Sequence, residues 1–300
     1  MKRLLAVALL TALCGCVPSS SQTPPAPPAP VIGQPETKAD EVDRKAVIIG
    51  INQYPGCPLS YCVNDALSWQ ARLISKHGFR QEQIRMLLDK QATTQAYRDA
   101  LKWLVAGAKP GSVRFHAFSG HGAEFSGDSS QPDGLHQVVC PQDFAWDFDH
   151  MITDTDFVRV FSQMPDGVAF CWISDSCHSG DLTRGSNPHA ARRWPKAPPP
   201  QVQRNLDRAR RAGWKPRGFV NGILDVGFIS GCSPAGTSAD SGEFKAGAAT
   251  WSIEQAMDAL PAACLTDLAA KANALLREHG YEQAPQAEGA QKDAPFLQGH

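Results

Sequence analysis

The chain lacks an apolar run long enough to cross a bilayer as a helix. Its longest, Leu4 to Leu13, is half of the roughly 20 residues that a span needs. It lacks a CxxC pair among its nine cysteines, which argues against a zinc ribbon or a thioredoxin motif. It lacks the Gly-x-Ser-x-Gly elbow of α/β hydrolases. It lacks an excess of either charge: the formal net charge is −1 and the pI about 6.7. Bulk attraction to nucleic acid is therefore not expected, and an electrostatic partner has to be read by a local patch. No internal repeat is visible. What remains is ordinary for a folded protein: 300 residues, 42% hydrophobic and 20% charged, enough for one large domain or two small ones.

The first residues speak to compartment. Lys2 and Arg3 precede the short apolar run, which ends in Leu13-Cys14-Gly15-Cys16. A charged n-region, a short h-region and a small residue before a cysteine resemble a bacterial lipoprotein signal, residues 1–16. The resemblance implies cleavage before Cys16 and lipidation there; Cys14 is the poorer candidate because Leu13 precedes it. Residues 17–44 are rich in Pro, Ala and Ser, bury little and are expected to act as an extended tether. The expected location is extracytoplasmic, lipid-anchored to the cell envelope. Val17, rather than Asp, implies the outer membrane in a diderm host.

Folded structure is expected from Lys45. Ala46–Ile51, Ile84–Leu88, Val113–Phe118, Val168–Ile173 and Gly227–Gly231 are short apolar runs rich in β-branched and aromatic residues, as buried parallel strands are. Between and after them Asn64–His77, Thr93–Ala106, Asp154–Ser162, Ile253–Leu260 and Leu265–His279 carry helical spacing. This alternation predicts an α/β fold, a three-layer αβα sandwich around a mostly parallel sheet. The domain is placed at residues 45–286, and residues 287–300 are expected to be a loose tail.

Two predicted strands end in chemistry. The third runs into Ser119-Gly120-His121-Gly122, and the fourth into Ser174-Asp175-Ser176-Cys177-His178. In open α/β sheets functional groups gather beyond the carboxyl ends of the strands, so neighbouring strands would bring His121 and Cys177 together. They lie 56 residues apart, near the roughly 50 of a caspase-type pair. An imidazole beside a thiol raises its thiolate fraction or takes its proton during attack, then protonates the leaving amine. The backbone N–H groups of Gly122 and Cys177 are candidates for an oxyanion hole. His178 is read as a turn residue.

These motifs, with Ala46-Val-Ile-Ile-Gly-Ile-Asn52, Cys62-Val-Asn-Asp-Ala66 and Ser230-Gly-Cys232, resemble the metacaspase and orthocaspase branch of the caspase-like peptidases. The resemblance implies a cysteine endopeptidase that cleaves after Arg or Lys through a thioester acyl-enzyme, acting as a monomer. It places Asp65, Asp175, Cys62 and Ser119 in the P1 pocket. Two carboxylates in a partly dry cleft suit a guanidinium, which can bridge both. Asp65 can also be read as a carboxylate at the start of its own helix.

The family's calcium site is degraded. By the resemblance it takes four aspartates, and three of those places hold His136, Thr155 and Arg184. Calcium wants six to eight oxygen ligands, so no cofactor is expected. Residues 183–217 form a basic insert with ten Lys/Arg and one acid, Asp207. It reads as a solvated loop, a self-cleavage segment or a contact for anionic lipid. Cys57 and Cys62 could pair in an oxidising compartment, and Cys171 reads as inert. The competing functional reading is a catalytically silent binding module of the same fold.

Overall fold

The computed structural model describes residues 42–126, 135–177, 190–191, 199–204, 224–233 and 236–297. The expected leader, Cys16, residues 17–41 of the expected tether and most of the basic insert lie outside the described residues; residues 42–44 belong to the fold instead, with Asp43 bonded to Arg114 (2.6 Å) and Arg44 opening the first strand.

Among the described residues these elements follow in chain order: β1 (Arg44–Gly50), α1 (Cys62–Lys76), β2 (Ile84–Leu88), α2 (Thr94–Val105), β3 (Val113–Ser119), β4 (Gly122–Ser126) and β5 (Leu135–Val139). Then come β6 (Ile152–Thr153), α3 (Asp154–Phe161), β7 (Ala169–Asp175), β8 (Ala190–Ala191), β9 (Gly227–Ser230), β10 (Ala239–Ser241) and β11 (Ala246–Gly247). The last are α4 (Ala248–Ala259), α5 (Leu265–Glu278) and β12 (Gln286–Glu288).

The main sheet has the order β12-β9-β7-β3-β1-β2. All pairs are parallel except β12 with β9. Alternation along the strands assigns the two faces. On β1, Val47 and Ile49 join one apolar cluster, and Ala46 and Ile48 the other. On β7, Phe170 and Trp172 face the first, Cys171 and Ile173 the second. α2 and α3 cover the first face with Tyr97, Leu101, Leu104, Phe157 and Phe161. α1, α4 and α5 cover the second with Trp69, Leu73, Ile253 and Leu268. Trp172 is wholly buried against Phe157 and Phe228, with ring centroids 4.3 and 4.4 Å away. Burial of one such ring is worth about 3 kcal/mol or more. The expected three-layer αβα sandwich is the fold.

A histidine inside this core is structural. His116 on β3 donates from Nδ1 to the Val47 carbonyl (3.0 Å) and accepts at Nε2 from the Tyr97 hydroxyl (2.9 Å). Burial drives its pKa down to about 4, so it packs as a neutral ring.

Two further expectations need correction, and one stretch carries structure that was not anticipated. The stretch between β3 and α3 carries β4, β5 and β6, a small antiparallel sheet of its own. Helix α4 begins at Ala248, not Ile253, because small residues carry its first turn. The C-terminal stretch is not loose. Gln286, Ala287 and Glu288 pair with Ser230, Ile229 and Phe228 and close the edge of β9. Gln291 bonds the Phe170 N–H (2.9 Å) and the Val168 carbonyl (2.8 Å). Phe296 is buried against Phe115 and His77. An exposed sheet edge has backbone groups to satisfy, and a glutamine-rich segment can satisfy them.

Candidate active site

Sheet register builds the site. Strands β3 and β7 run side by side with Ser119 opposite Asp175. Two residues further along each strand direction come His121 and Cys177, both buried. Gly120 N–H still bonds the Asp175 carbonyl (3.4 Å), so the two chains stay together past the strand ends. A Cβ on Gly122 would collide with the Cys177 carbonyl oxygen. The backbones expected to form an oxyanion hole are therefore in contact, and glycine at 122 is what lets them touch.

The tautomer of His121 follows from its neighbours. Nε2 lies 2.9 Å from the Cys57 carbonyl, which can only accept, so Nε2 carries the proton. In the neutral ring Nδ1 is then the nitrogen that can take a proton. Tyr54 fixes the ring: its centroid is 4.6 Å away, and its hydroxyl accepts from His121 N–H (3.1 Å) and donates to the Cys140 carbonyl (2.8 Å). The Cys177 thiol meets Ser238: Sγ accepts from the Ser238 N–H (3.0 Å) and lies 3.5 Å from its carbonyl oxygen. Two other thiols are held in the neutral form. Burial pushes Cys140 and Cys171 well above the ordinary thiol range, with Cys57 adding to the effect at Cys140. Cys57 and Cys62 are not joined in a disulfide.

Ser119 lies between Asp65 and Asp175, bonded to the first and paired in register with the second. Ser119 Oγ donates to Asp65 Oδ2 (2.5 Å). The remaining oxygens have a role that the sequence did not suggest. Asp65 Oδ1 accepts from Gly247 N–H (2.9 Å), and Asp175 Oδ2 accepts from Thr250 N–H (2.8 Å) and Oγ1 (2.7 Å). Gly247 is the N-cap of α4 and has no side chain to cap it. Both carboxylates thus serve the N-terminus of α4, where N–H groups and the helix dipole favour negative charge. Asp65 lies in the first turn of α1, so both helix readings hold at once. Cys62 opens α1, buried, its N–H bonded to Asn52 Oδ1 (2.8 Å).

Sequence reasoning missed Ser238, Thr250, Tyr54 and Gln283. Ser238 carried a usable signal. It sits among small polar residues after an apolar strand, as Cys177 does.

At the described positions of the family's calcium site the side chains have other partners. His136 Nδ1 is 3.1 Å from Asp154 Oδ1, and Asp156 is taken by Thr153 and by Arg159. Among the described residues no group of three or more His, Cys, Asp or Glu is arranged to hold a metal.

The profile of the metacaspase, peptidase C14 domain matches residues 44–184. Over those residues the chain is similar to the metacaspases. Metacaspase-9 of Arabidopsis thaliana is 37% identical over 149 residues, 46% of this chain and 44% of its own length. Metacaspase-1A of Neurospora crassa is 36% identical over 148 residues, 46% of this chain and 32% of its own. The chain thus spans less than half the length of these curated metacaspases. A crystal structure of protein GSU0716 from Geobacter sulfurreducens shares the fold, with a TM-score of 0.61 and 23% identity over 85% of this chain and 97% of that one. The metacaspase match includes His121, Cys177, Asp65 and Asp175, and ends before Ser230-Gly-Cys232.

Proposed function

We propose that the protein is a cysteine endopeptidase that cleaves after Arg or Lys, using Cys177 as nucleophile and His121 as base. The observation that supports this reading is the register of β3 and β7, which pairs Ser119 with Asp175 two residues before His121 and Cys177, while Asp65 and Asp175 both reach the N-terminus of α4. The thiol passes its proton to His121 Nδ1, and the thiolate attacks the scissile carbonyl. The oxyanion that forms meets the N–H groups of Gly122 and Cys177. His121 then protonates the leaving amine, which departs and leaves a thioester. Water, deprotonated by His121, adds to the thioester and releases the acid and the thiol. A P1 cation is held by the Asp65 and Asp175 carboxylates.

Self-processing in the basic insert belongs to the same reading. Ala190 and Ala191 pair antiparallel with Asp240 and Ala239, next in the chain to Ser238. Arg192 and Arg193 follow Ala191 in sequence. With the calcium quartet degraded, the activity is expected to need no calcium. The protein acts as a monomer, held outside the cytoplasm by lipid on Cys16.

Fluorogenic peptides with Arg, Lys and Asp at P1, assayed with reductant, test the chemistry. Expected are hydrolysis of the Arg and Lys peptides, its loss in Cys177→Ala, and persistence in EDTA. A folded protein silent on all three peptides removes the peptidase reading; loss of activity in EDTA removes the calcium argument. The anchor is tested by fractionation after expression in a diderm host. Wild type should sediment with membranes and Cys16→Ala should not; equal partitioning removes the anchor.

A further inference from the structure

Ser238 is wholly buried between the nucleophile and a P1 carboxylate. Its N–H points at Cys177 Sγ (3.0 Å), and its hydroxyl donates to Asp175 Oδ1. One residue therefore touches both halves of the site. It is itself held. Gln283, in the segment after α5, donates from Nε2 to Ser238 Oγ (2.9 Å) and to the Gly231 carbonyl (2.6 Å). Its Oε1 accepts from Ala239 N–H (2.8 Å). Gly231 in turn donates to the Ser174 carbonyl (2.7 Å), one residue before Asp175. The loop carrying Ser238 is thus tied back to the strand that carries Asp175 and leads to Cys177.

We propose that Ser238, clamped by Gln283, is a positioning residue that fixes the Cys177 thiol and the Asp175 carboxylate relative to one another. The inference rests on the peptidase reading and on a cationic P1. Thr250 holds Asp175 Oδ2, and the Ser238 hydroxyl holds Oδ1, so the carboxylate cannot rotate. A guanidinium then meets a preset acceptor and pays no ordering cost. The N–H donates to Sγ and fixes where the sulfur sits. The two contacts come from different atoms of one residue, so they can be separated by mutation. Ser238→Ala removes only the hydroxyl. Gln283→Ala releases the backbone as well.

The experiment measures KM and kcat on Arg and neutral P1 peptides for wild type, Ser238→Ala, Ser238→Thr and Gln283→Ala, with thermal unfolding as the control for folding. Calorimetric binding of the Arg peptide is measured beside it, in Cys177→Ala and in Cys177→Ala/Ser238→Ala, where no turnover is needed. For Ser238→Ala, KM for the Arg peptide should rise ~10-fold, kcat should change little, and the preference for Arg should narrow. Ser238→Thr should recover part of the loss, and Gln283→Ala should lower kcat as well as raise KM. The Arg peptide should bind ~10-fold more weakly once Ser238 is also replaced. An unchanged or lower KM in Ser238→Ala overturns the proposal, and so does equal binding in the two Cys177→Ala proteins. If Gln283→Ala fails to fold, Ser238→Ala alone decides. A wild type that prefers Arg while Ser238→Ala matches it sinks this role and leaves the peptidase reading standing. If wild type neither cleaves nor binds the Arg peptide, both fall together.

Discussion

Gly122 has no side chain because the Cys177 carbonyl oxygen occupies the place where one would go. The clash is with backbone, so no rotamer change relieves it. Gly122→Ala must push the β4 start away from the residue after β7, at about 1–3 kcal/mol or more. Activity should fall further than stability does, because the same displacement moves both oxyanion donors. Urea unfolding and kcat measured side by side check this. A variant with wild-type kcat would show that the contact is not part of the site. His121 makes a related point. Its chemistry is set by the Cys57 carbonyl, 64 residues earlier in the chain, which holds Nε2 and leaves Nδ1 to work.

At the scale of elements, helix α4 organises the pocket. Its N-terminus takes its capping oxygens from Asp65 on α1 and Asp175 on β7. One turn further along, the half-buried Glu254 meets α1, accepting from Ser68 Oγ at 2.6 and 2.8 Å with Arg72 at 3.8 Å. Burial lifts its pKa from the usual 4.5 to about 7; the Ser68 bond and Arg72 oppose the rise, and Asp65 and Asp258 add to it. The folded protein then keeps a proton that the unfolded chain releases. Stability from this group is full below about pH 4.5 and is lost as pH rises through about 7. Glu254→Gln should remove that dependence. Relative to wild type it should gain roughly 2 kcal/mol between pH 5 and pH 8 in urea unfolding. Parallel curves for the two proteins would refute the assignment.

For the molecule as a whole, the last described residues belong to the fold. Deleting residues 286–300 unpairs β9, strips the Gln291 bonds from β7 and empties the place of Phe296. The expected loss is about 3 kcal/mol or more, seen as a lower thermal midpoint. An unchanged midpoint would mean that the edge strand contributes nothing. Among the described residues no helix is long and apolar enough to cross a membrane.

The sequence by itself determined the five parallel strands of the main sheet, the helices beside them and the strand ends that carry His121 and Cys177. Each rests on a local pattern: β-branched runs, helical spacing, and small residues where a strand stops. Tertiary structure decided the rest, because those features depend on groups far apart in the chain. The Asp65 and Asp175 carboxylates meet α4 across 182 and 75 residues. Ser238 reaches the nucleophile across 61 residues. The tail looked loose by composition, yet Gln286–Glu288 completes a sheet edge 56 to 60 residues upstream. Backbone donors left open at a helix start or a strand edge are satisfied by whatever the fold brings near. No periodicity in the sequence records which residue that is.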